Sequence, residues 1–345
     1  MGASSRLRTY QFISLWEQAG YEVKISSFFN EKYLRRFYLG KRHHPLNVLG
    51  CYIKRLWIFL NAWRYDLIWI EKEAFPFLPS YAEWLLEKLG KGYVVDYDDA
   101  VFHNYDQHAS CIVRAWMGNK IDWVMRHSTA TFVGNLYLKE RALKSGAKEI
   151  IDLPTVINPI RYRKKIGDSS ASKIKIGWIG SPTTMKYLET LKPVFEKLNS
   201  ELDFELLVVN AKPFFDLGFG CEVRWVSWSE ETEVEAILEM DIGIMPLPDD
   251  KWERGKCAYK LIQYMACGLP VVASPVGMNV EVVKHGENGF LASSEEEWVD
   301  YLNTLIQNSS LRKEFGGKGY QLVQERYTLQ RNFEIMRREI ERLMK

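Results

Sequence analysis

The stretch AYKLIQYMACGLPVVAS, residues 258–274, contains a lysine and an amide at a spacing that suits ligand binding. Lys260 and Gln263 stand three residues apart, so both can face one side of a helix. Gly268 suits the left-handed residue at which such a helix ends. Gly255 precedes the helix and can bring backbone N–H groups close to a ligand. Lys260 would then face a ligand, whereas the uncharged Gln263 leaves open whether the site carries out a reaction.

A second candidate is the turn in IKIGWIGSPTTMKYLETL. The strand ending at Ile179 is predicted to run into Gly180, Ser181 and Pro182. Ser is a favoured N-cap and Pro a favoured first helical residue, so a helix is expected to begin here. Free N–H groups at a helix start bind anions, phosphates especially, and Lys186 in the next turn can add a charge-assisted contact. The alternative is an ordinary βα turn with a surface lysine.

The elements that must position these residues alternate between apolar, β-branched runs and helical patterns, as in parallel, doubly wound α/β sheets. The chain turns polar and irregular between Pro154 and Lys173, which makes this stretch the best domain boundary. Two Rossmann-like halves joined there would enclose a cleft at the carboxyl ends of their strands. We predict an N-terminal domain over 1–155, a linker over 156–173 and a C-terminal domain over 174–328. Strands are expected at 21–28, 65–70, 93–98, 130–133, 174–179, 204–209, 222–226, 241–245 and 270–273.

Both ends of the chain carry helical patterns. Phe333, Met336, Ile340 and Leu343 follow helical spacing, so 329–345 is expected to be a terminal helix that either packs on the second domain or crosses back to the first. The opening GASSRLRTYQFISLWEQAG predicts a loop and a helix with no strand before them. A doubly wound domain normally begins with a central strand, without which its neighbours keep unpaired backbone groups. We therefore expect a missing first strand and a truncated or misassigned start.

Composition bounds the class of protein. The chain has 345 residues, 47% of them apolar, which is enough for two domains with real cores. Five scattered cysteines, with no C-x-x-C pair, favour a reducing compartment and argue against a disulfide framework or structural zinc. No signal peptide is recognisable, and the longest apolar runs fall short of the ~20 residues that a membrane span needs. We expect a cytoplasmic protein.

One segment of the chain is distinctly basic. Residues 32–65 contain eight Lys or Arg, no Asp or Glu, and eight aromatic residues that include Trp57 and Trp63. Basic and aromatic residues together suit an anionic membrane surface, so a peripheral location on the inner face of the membrane is predicted. Nucleic acid is a weaker alternative, because no binding motif accompanies the charge. The plain alternative is a solvated helix face.

Several motifs resemble a known family. KLIQYMACGLPVVASPVG, followed by EVVKHGENGFL, is similar to the donor-site region of the retaining family-4 glycosyltransferases (glycosyl transferases group 1), which have the GT-B fold. In that family a Glu on the helix is followed by MAxG, PVV, a glycine and an nGfl element. The glycine corresponds here to Gly277, and the nGfl element corresponds to residues 288–291. SSRLRTYQF resembles the family's first loop and helix, VGNLYLKERA the end of its N-terminal domain, and PTVINPIRY its linker. The resemblance covers most of the chain.

The resemblance implies transfer of a sugar from a nucleoside diphosphate donor, with retention and with no cofactor or essential metal. The family usually has two glutamates separated by seven residues, and the alignment places Gly255 and Gln263 there, so both acids are absent. Gln263 keeps a carbonyl oxygen that can accept a ribose hydroxyl but loses the charge-assisted bond. Glu253, two residues before Gly255, can reach the sugar instead.

The resemblance also suggests what the lysines do. The family's phosphate-binding Arg is replaced by Ser181, its partner Lys corresponds to Lys186, and related members have a lysine where Lys260 stands. We hypothesise that Lys186 and Lys260 neutralise the departing diphosphate, which is the main catalytic demand in such a transfer. Glu281 either helps to hold the donor or caps the helix that it begins. Further donor-site candidates are Gly180, Lys256, Cys257 and Ala258, and Trp225 or Trp228 either stacks on a base or packs in the core.

The acceptor side is sought in YVVDYDDAVFHNYD. Asp96-x-Asp98 imitates the metal-binding D-x-D of a different glycosyltransferase fold, and we interpret it as a false match. Many family members have a His near this strand end that touches the transferred sugar. Asp98, Asp99 and His103 are therefore candidates on the acceptor or sugar side, and the alternative is that they cap and salt-bridge the following helix.

The sequence thus favours a glycosyltransferase that acts on a lipid-linked or polysaccharide acceptor of the cell envelope. Two alternatives remain open. A nucleotide-sugar 2-epimerase shares this architecture, because a fold does not by itself settle function. A non-catalytic nucleotide-sugar-binding subunit would explain why the two glutamates are absent.

Overall fold

A computed structural model of the chain describes residues 2–38, 41–42, 44–165, 173–211 and 218–345. The chain divides into two compact units, the first comprising Met1–Thr155 with Asn332–Lys345 and the second Val156–Arg331. Within the described ranges, no helix combines the length and the apolarity that crossing a bilayer requires.

Four parallel strands form the sheet of the first unit, each paired with the next in chain order. Val94, Val95, Tyr97 and Phe132 are almost completely buried in it. Strands buried on both faces read as continuous apolar runs, which is why YVVDY predicts its strand. The strands are β1 (Ile68–Glu71), β2 (Tyr93–Tyr97), β3 (Ala130–Val133) and β4 (Ile150–Asp152), and the helices are α1 (Ala3–Arg8), α2 (Ile13–Gln18), α3 (Glu31–Tyr38), α4 (Pro45–Leu60), α5 (Tyr81–Lys88), α6 (His103–Asp106), α7 (Cys111–Met117), α8 (Lys120–His127) and α9 (Leu136–Ser145).

The strand expected at residues 21–28 is wrong. These residues form no helix or strand, and no described strand precedes Ile68. A strand needs a neighbour that takes up its backbone hydrogen bonds, and none of the described strands pairs with this segment. Its end is held by side chains instead, because the ring of Phe28 lies 4.8 Å from that of Tyr52 and 6.2 Å from that of Phe75.

Six parallel strands form the sheet of the second unit. They are β5 (Ile174–Ile179), β6 (Phe204–Asn210), β7 (Glu222–Ser227), β8 (Ile242–Met245), β9 (Val271–Ala273) and β10 (Gly289–Leu291). Their order across the sheet is β10-β9-β8-β5-β6-β7. The order therefore reverses between β5 and β8, and ligands of doubly wound sheets bind at such a switch point, outside the carboxyl ends of the strands. The helices of this unit are α10 (Met185–Glu189), α11 (Lys192–Asn199), α12 (Glu233–Leu238), α13 (Lys251–Arg254), α14 (Tyr259–Ala266), α15 (Asn279–Val282), α16 (Glu295–Gln307) and α17 (Ser309–Arg326).

The last helix, α18 (Leu329–Leu343), begins in the second unit and ends in the first. Its apolar residues Phe333, Met336 and Ile340 are buried. The ring of Phe333 lies 4.9 Å from that of Trp16 in α2, at an angle of 77°. The helix therefore closes an apolar face of the first unit that its own N-terminal helices leave open.

Two adjacent glycines in α17 provide a test of the packing in the second unit. A Cβ on Gly316 would overlap the carbonyl oxygen of Gly268, whereas a Cβ on Gly317 meets nothing within 4 Å. We expect Gly316→Ala to lower the free energy of unfolding by about 1–3 kcal/mol, because the backbones of α17 and of the turn after α14 must separate. Gly317→Ala is the matched control and should stabilise by about 0.5–1 kcal/mol, since alanine favours the helix. Urea denaturation of both variants measures this, and equal effects would contradict the close approach.

Candidate active site

The switch point of the second sheet brings two chain segments to one edge. Gly180, Ser181 and α10 follow the carboxyl end of β5, and α13 and α14 follow that of β8. Because β5 and β8 are hydrogen-bonded neighbours, the residues after them lie side by side. Both sequence motifs that suggested anion binding therefore lie at the same edge of one sheet.

Three lysines lie around two aromatic rings at this edge. The Nζ atom of Lys260 lies 4.3 Å from the centre of the Trp178 ring. Those of Lys186 and Lys256 lie 5.0 Å and 5.8 Å from the ring of Tyr187. In the part of the chain that the structure describes, neither Lys186 nor Lys260 forms an ion pair with a carboxylate. Such a concentration of positive charge suits an anionic ligand.

Lys260 has an unusual acidity. Burial, together with the positive charge of Lys256, lowers the pKa of Lys260 to about 7. A phosphate beside it would favour the charged form and raise that pKa again. Lys260 is therefore a cation whose charge depends on whether an anion is bound.

The turn after β5 is tight. A Cβ on Gly180 would overlap the Trp178 ring and lie 2.8 Å from the Oγ1 atom of Thr184, so only glycine lets the turn pack this closely. Ser181 occupies the N-cap position but its side chain does not cap a backbone N–H. Its hydroxyl pairs instead with that of Thr183 at 2.9 Å. A helical turn thus begins at Pro182 with Ser181 at its N-cap position, as predicted, although the Ser181 hydroxyl bonds to a side chain rather than to a backbone N–H.

The segment before α14 is buried and strained. Gly255, Cys257 and Ala258 are all buried, and Ala258 has a φ of +49° at the N-cap of α14. A non-glycine residue in this region costs free energy that the surroundings must offset, and such residues cluster at ligand sites. Glu253 is 6% exposed and accepts a hydrogen bond from the hydroxyl of Tyr187. The carboxylate of Glu253 is therefore directed toward the lysine cluster.

Gln263 belongs to a buried hydrogen-bond network. Its Nε2 atom donates to the hydroxyl of Tyr162 at 2.7 Å, and that hydroxyl donates to Glu233 at 3.1 Å. Glu233 also accepts from Arg161 at 3.1 Å and from the indole N–H of Trp228 at 3.1 Å. Burial, and then the neighbouring Tyr259 and Glu233, raises the pKa of Tyr162 well above its ordinary value, so Tyr162 stays a donor.

This network changes the interpretation of two predicted residues. The amide nitrogen of Gln263 is committed to Tyr162, so only its carbonyl oxygen is left for the predicted contact with a ribose hydroxyl. Trp228 is held by Glu233, and Trp225 packs against the core of the second unit. Core packing, the alternative to base stacking, is thus what Trp225 adopts. Sequence reasoning missed Glu233, which stands 30 residues before Gln263 with no motif around it.

Gln263→Glu would restore the acid that the resembled family has. We expect this change to lower the free energy of unfolding by about 1–3 kcal/mol, because it removes the donor to Tyr162 and buries a second carboxylate near Glu233. Urea denaturation at neutral pH measures the loss. Gln307→Glu, on the exposed side of α16, is the control and should be neutral. An unchanged stability for Gln263→Glu would mean that its side chain can turn away from Tyr162.

Glu281 belongs to α15, the short helix that follows β9. It is exposed in the first turn of α15, a helix of four residues. Its charge acts on Tyr327, where burial and then Glu281 raise the pKa to about 12. Its two predicted roles, in holding the donor or in capping, stay predictions.

The predicted acceptor-side residues lie at the carboxyl ends of β1 and β2. The Nζ atom of Lys72 lies 3.3 Å from Asp98 and 4.0 Å from Asp99, and Asp98 accepts a hydrogen bond from Ser4. Burial disfavours the charged form of Lys72, yet the carboxylates of Asp98, Asp99 and Glu71 hold the pKa of Lys72 above its usual value. Lys72 has a φ of +68°, so this paired cluster is held in a strained backbone.

Asp96 has a cationic partner of its own in Arg8. It is 1% exposed and receives two hydrogen bonds from Arg8, whose Nη1 atom also donates to the carbonyl of Leu153 at 2.6 Å. Asp96 and Asp98 therefore each have a cationic partner. In the described ranges, no group of three His, Cys, Asp or Glu residues is arranged to hold a metal ion.

His103 has both ring nitrogens engaged. Its Nδ1 atom lies 2.7 Å from Asp106 and 2.7 Å from Gln107, and its Nε2 atom lies 2.9 Å from the hydroxyl of Tyr137. These contacts hold α6 against α9. They favour the structural alternative for His103 over a contact with the transferred sugar.

Comparison with known families shows which proteins the sequence of the second unit resembles. Residues 173–308 match the family described as "Glycosyl transferases group 1". The matched range lies within the second unit and includes all three lysines of the switch point. The resemblance predicted from the 258–291 motif is thereby confirmed at the level of the family, and the narrower assignment to the retaining family 4 stays a prediction.

Two curated sequences are similar to part of the chain. N-acetyl-alpha-D-glucosaminyl L-malate synthase of Bacillus anthracis is 26% identical over 175 residues, which make up 48% of this chain and 45% of the synthase. An uncharacterised glycosyltransferase of Methanocaldococcus jannaschii is 25% identical over 202 residues, which make up 54% and 50% of the two chains. The chain thus spans about half the length of the curated relatives that it matches.

Solved structures share the fold along nearly the whole chain. HepE of Anabaena, solved with UDP and glucose, is similar with a TM-score of 0.65 at 15% identity, over 96% of this chain and 89% of HepE. A glycosyltransferase of Rickettsia africae gives 0.65 at 12% identity, over 96% and 88%. The two-unit α/β architecture is therefore that of the GT-B glycosyltransferases, and the predicted fold class is confirmed.

Proposed function

We propose that the chain transfers a sugar from a nucleoside diphosphate donor to a lipid-linked or polysaccharide acceptor, with retention of configuration. The observation that supports this is the convergence of Lys186, Lys256 and Lys260 at the switch point of the second sheet. Three ammonium groups at this edge match the charge of a diphosphate. HepE, which has the same fold, was solved with UDP and with UDP-glucose, so a uridine nucleotide is the first donor to test.

In the proposed reaction, an acceptor hydroxyl oxygen bonds to the anomeric carbon as the bond from that carbon to a diphosphate oxygen breaks, and the hydroxyl proton passes to the released diphosphate. The lysines stabilise the charge that develops on the departing oxygen. No metal is needed for this if the lysines supply the positive charge. Gly180 and the buried segment of Gly255, Cys257 and Ala258 would bring backbone groups close to the phosphates. Asp98 and Asp99 are proposed to contact the acceptor or the sugar, and Glu253 is the carboxylate proposed to reach the sugar from the donor side.

The test is to incubate the full chain with UDP-, GDP- and TDP-sugars, with and without acceptor membranes and a chelator. Release of nucleoside diphosphate that requires the acceptor and survives chelation supports the proposal. Conversion of the donor to a sugar isomer would indicate a 2-epimerase instead. Thermal stabilisation by a nucleotide sugar without any product would indicate a non-catalytic binding subunit, for which the absence of both family glutamates is the motivating observation.

The proposed setting is cytoplasmic, on the inner face of a membrane. Its support is the basic, aromatic segment 32–65 and the lipid-linked acceptor proposed above. Fractionation of cells that express the chain, with and without a high-salt wash, tests this, because a peripheral protein held by charge is released by salt.

A further inference from the structure

Helix α4 has two apolar sides, of which one is covered. Cys51 is 3% exposed, and the rings of Tyr52 and Phe59 pack against Phe28 and Phe75 in the core of the first unit. The hydroxyl of Tyr52 also donates to a carbonyl of the loop before α5. This side fixes the helix on the unit and leaves its opposite side facing outward.

The outward side of α4 carries large apolar residues that are mostly exposed. At 100° per residue, those within the helix fall in an arc of about 100°, which is the width of an apolar stripe that ordinarily faces a core. Scattered apolar residues on a surface are normal, but a contiguous patch of this size marks an interaction site. The members, with their exposed fractions, are Leu46 (72%), Leu49 (54%), Ile53 (60%), Leu56 (52%), Trp57 (71%), Leu60 (56%) and, just beyond the helix, Trp63 (63%).

The charge around this stripe indicates what covers it. Residues 32–65 contain no acidic residue. Among the residues of the segment whose exposure the structure describes, the exposed cations are Lys32, Arg36, Lys41, Arg42, Lys54 and Arg64. A second copy of this surface would bring like charges together, whereas an anionic lipid surface pairs with the cations while its acyl region accepts the apolar side chains. The two tryptophans suit the boundary between acyl chains and headgroups.

The position of the helix on the unit also fits a bilayer. A helix of 16 residues is about 24 Å long, too short to cross the ~30 Å of hydrocarbon but suited to lie in the interface plane. The loop that Tyr52 holds carries Phe77 and Leu78, which are 57% and 44% exposed. The loop that contacts the helix thus adds two exposed apolar side chains to the first unit.

We propose that α4 lies in the interface of an anionic bilayer, with its outward stripe among the acyl chains and the surrounding cations on the lipid phosphates. This deepens the proposed action at a membrane, and it names the element that makes the contact. Binding to vesicles needs neither donor nor acceptor, so it can fail or succeed independently of glycosyl transfer.

The test is co-sedimentation of the full chain with vesicles of phosphatidylglycerol and phosphatidylcholine, and with phosphatidylcholine alone. We expect binding to the anionic vesicles that weakens as salt is added. The double variant Ile53→Glu/Trp57→Glu should bind at least ~10-fold more weakly, because two apolar contacts are lost and two like charges are added. Leu143→Glu, on an equally exposed position of α9 (60%), is the matched control and should bind like the wild type.

Because Ile53 and Trp57 are exposed, the double variant should keep the circular dichroism spectrum of the wild type, and its UDP binding should be unchanged. Failure of the wild type to bind anionic vesicles would overturn the proposal, as would full binding by the double variant. If the wild type is a dimer in solution and the double variant a monomer, with no vesicle binding by either, a second copy covers the stripe and the proposal is wrong.

Discussion

Lys260→Met should lower kcat for transfer from a nucleotide sugar by about 10²–10³-fold, with a smaller effect on KM. The ammonium of Lys260 lies over the Trp178 ring without a carboxylate partner among the described residues, so a diphosphate oxygen is the anion it is placed to meet. Its contribution grows as charge develops on the leaving group, and for this reason the loss appears mainly in kcat. Lys251→Met in α13 is the matched control, because Lys251 is exposed and should leave turnover unchanged.

The pKa of Lys260 leads to a second prediction, which concerns the effect of pH on nucleotide binding. The pKa of Lys260 is about 7 without a ligand, so above this value the side chain must take up a proton when a diphosphate binds. The affinity for UDP should therefore fall as pH rises from about 7 to about 9, by up to about tenfold per pH unit. The fall should be absent in Lys260→Met. Isothermal titration in buffers of different ionisation enthalpy measures the proton uptake, and a wild-type affinity that does not change with pH would contradict this role.

Arg8→Ala should destabilise the first unit by about 3–5 kcal/mol. Arg8 and Asp96 are each about 1% exposed and are joined by two hydrogen bonds, so the variant leaves a buried carboxylate without its cation. It also removes the bond from Arg8 to the carbonyl of Leu153. The stability of Arg8→Lys should lie between that of the wild type and that of Arg8→Ala. An ammonium keeps the positive charge but cannot make the two parallel bonds of a guanidinium.

Urea denaturation monitored by a probe in the first unit measures this loss. The double variant Arg8→Met/Asp96→Leu should recover part of it, since replacing both partners removes the unpaired charge. Lys139→Ala provides the comparison at an exposed pair, Lys139 with Asp152, and should cost less than about 1 kcal/mol. A loss as small as that for Arg8→Ala would mean that water reaches Asp96.

The sequence predicts the second unit better than the first, for a physical reason. The strand predicted at 204–209 is found at 204–210, because its buried centre LLVV is a continuous apolar run, as in strands buried on both faces. The sequence does not predict the three-residue strands β4 and β10, whereas it predicts β9, of the same length, from the apolar run PVVA. The apolar pattern of residues 21–28 describes a segment suited to a strand, but it cannot provide the neighbouring strand that would make it one.

The residues of the candidate site also differ in how far the sequence predicts them. Lys186 and Lys260 could be predicted to share a ligand, since both follow strands that meet at one sheet edge. The bond between Gln263 and Tyr162 joins residues 101 positions apart, and nothing at either position indicates the other. The outward stripe of α4 could be predicted only in part. The sequence shows the charge and the aromatic residues, but it does not show which side of the helix the first unit covers.

The division of the first unit into two stretches of chain has a consequence for synthesis. The chain leaves this unit after Thr155 and returns at Asn332, while the second unit is continuous from Val156 to Arg331. At about 5–20 residues per second, the ribosome needs roughly 10 to 35 s to make the second unit before the helix that covers Trp16 exists. During that time the nascent first unit lacks the helix that carries Phe333, so the unit whose synthesis begins first is the last to be completed.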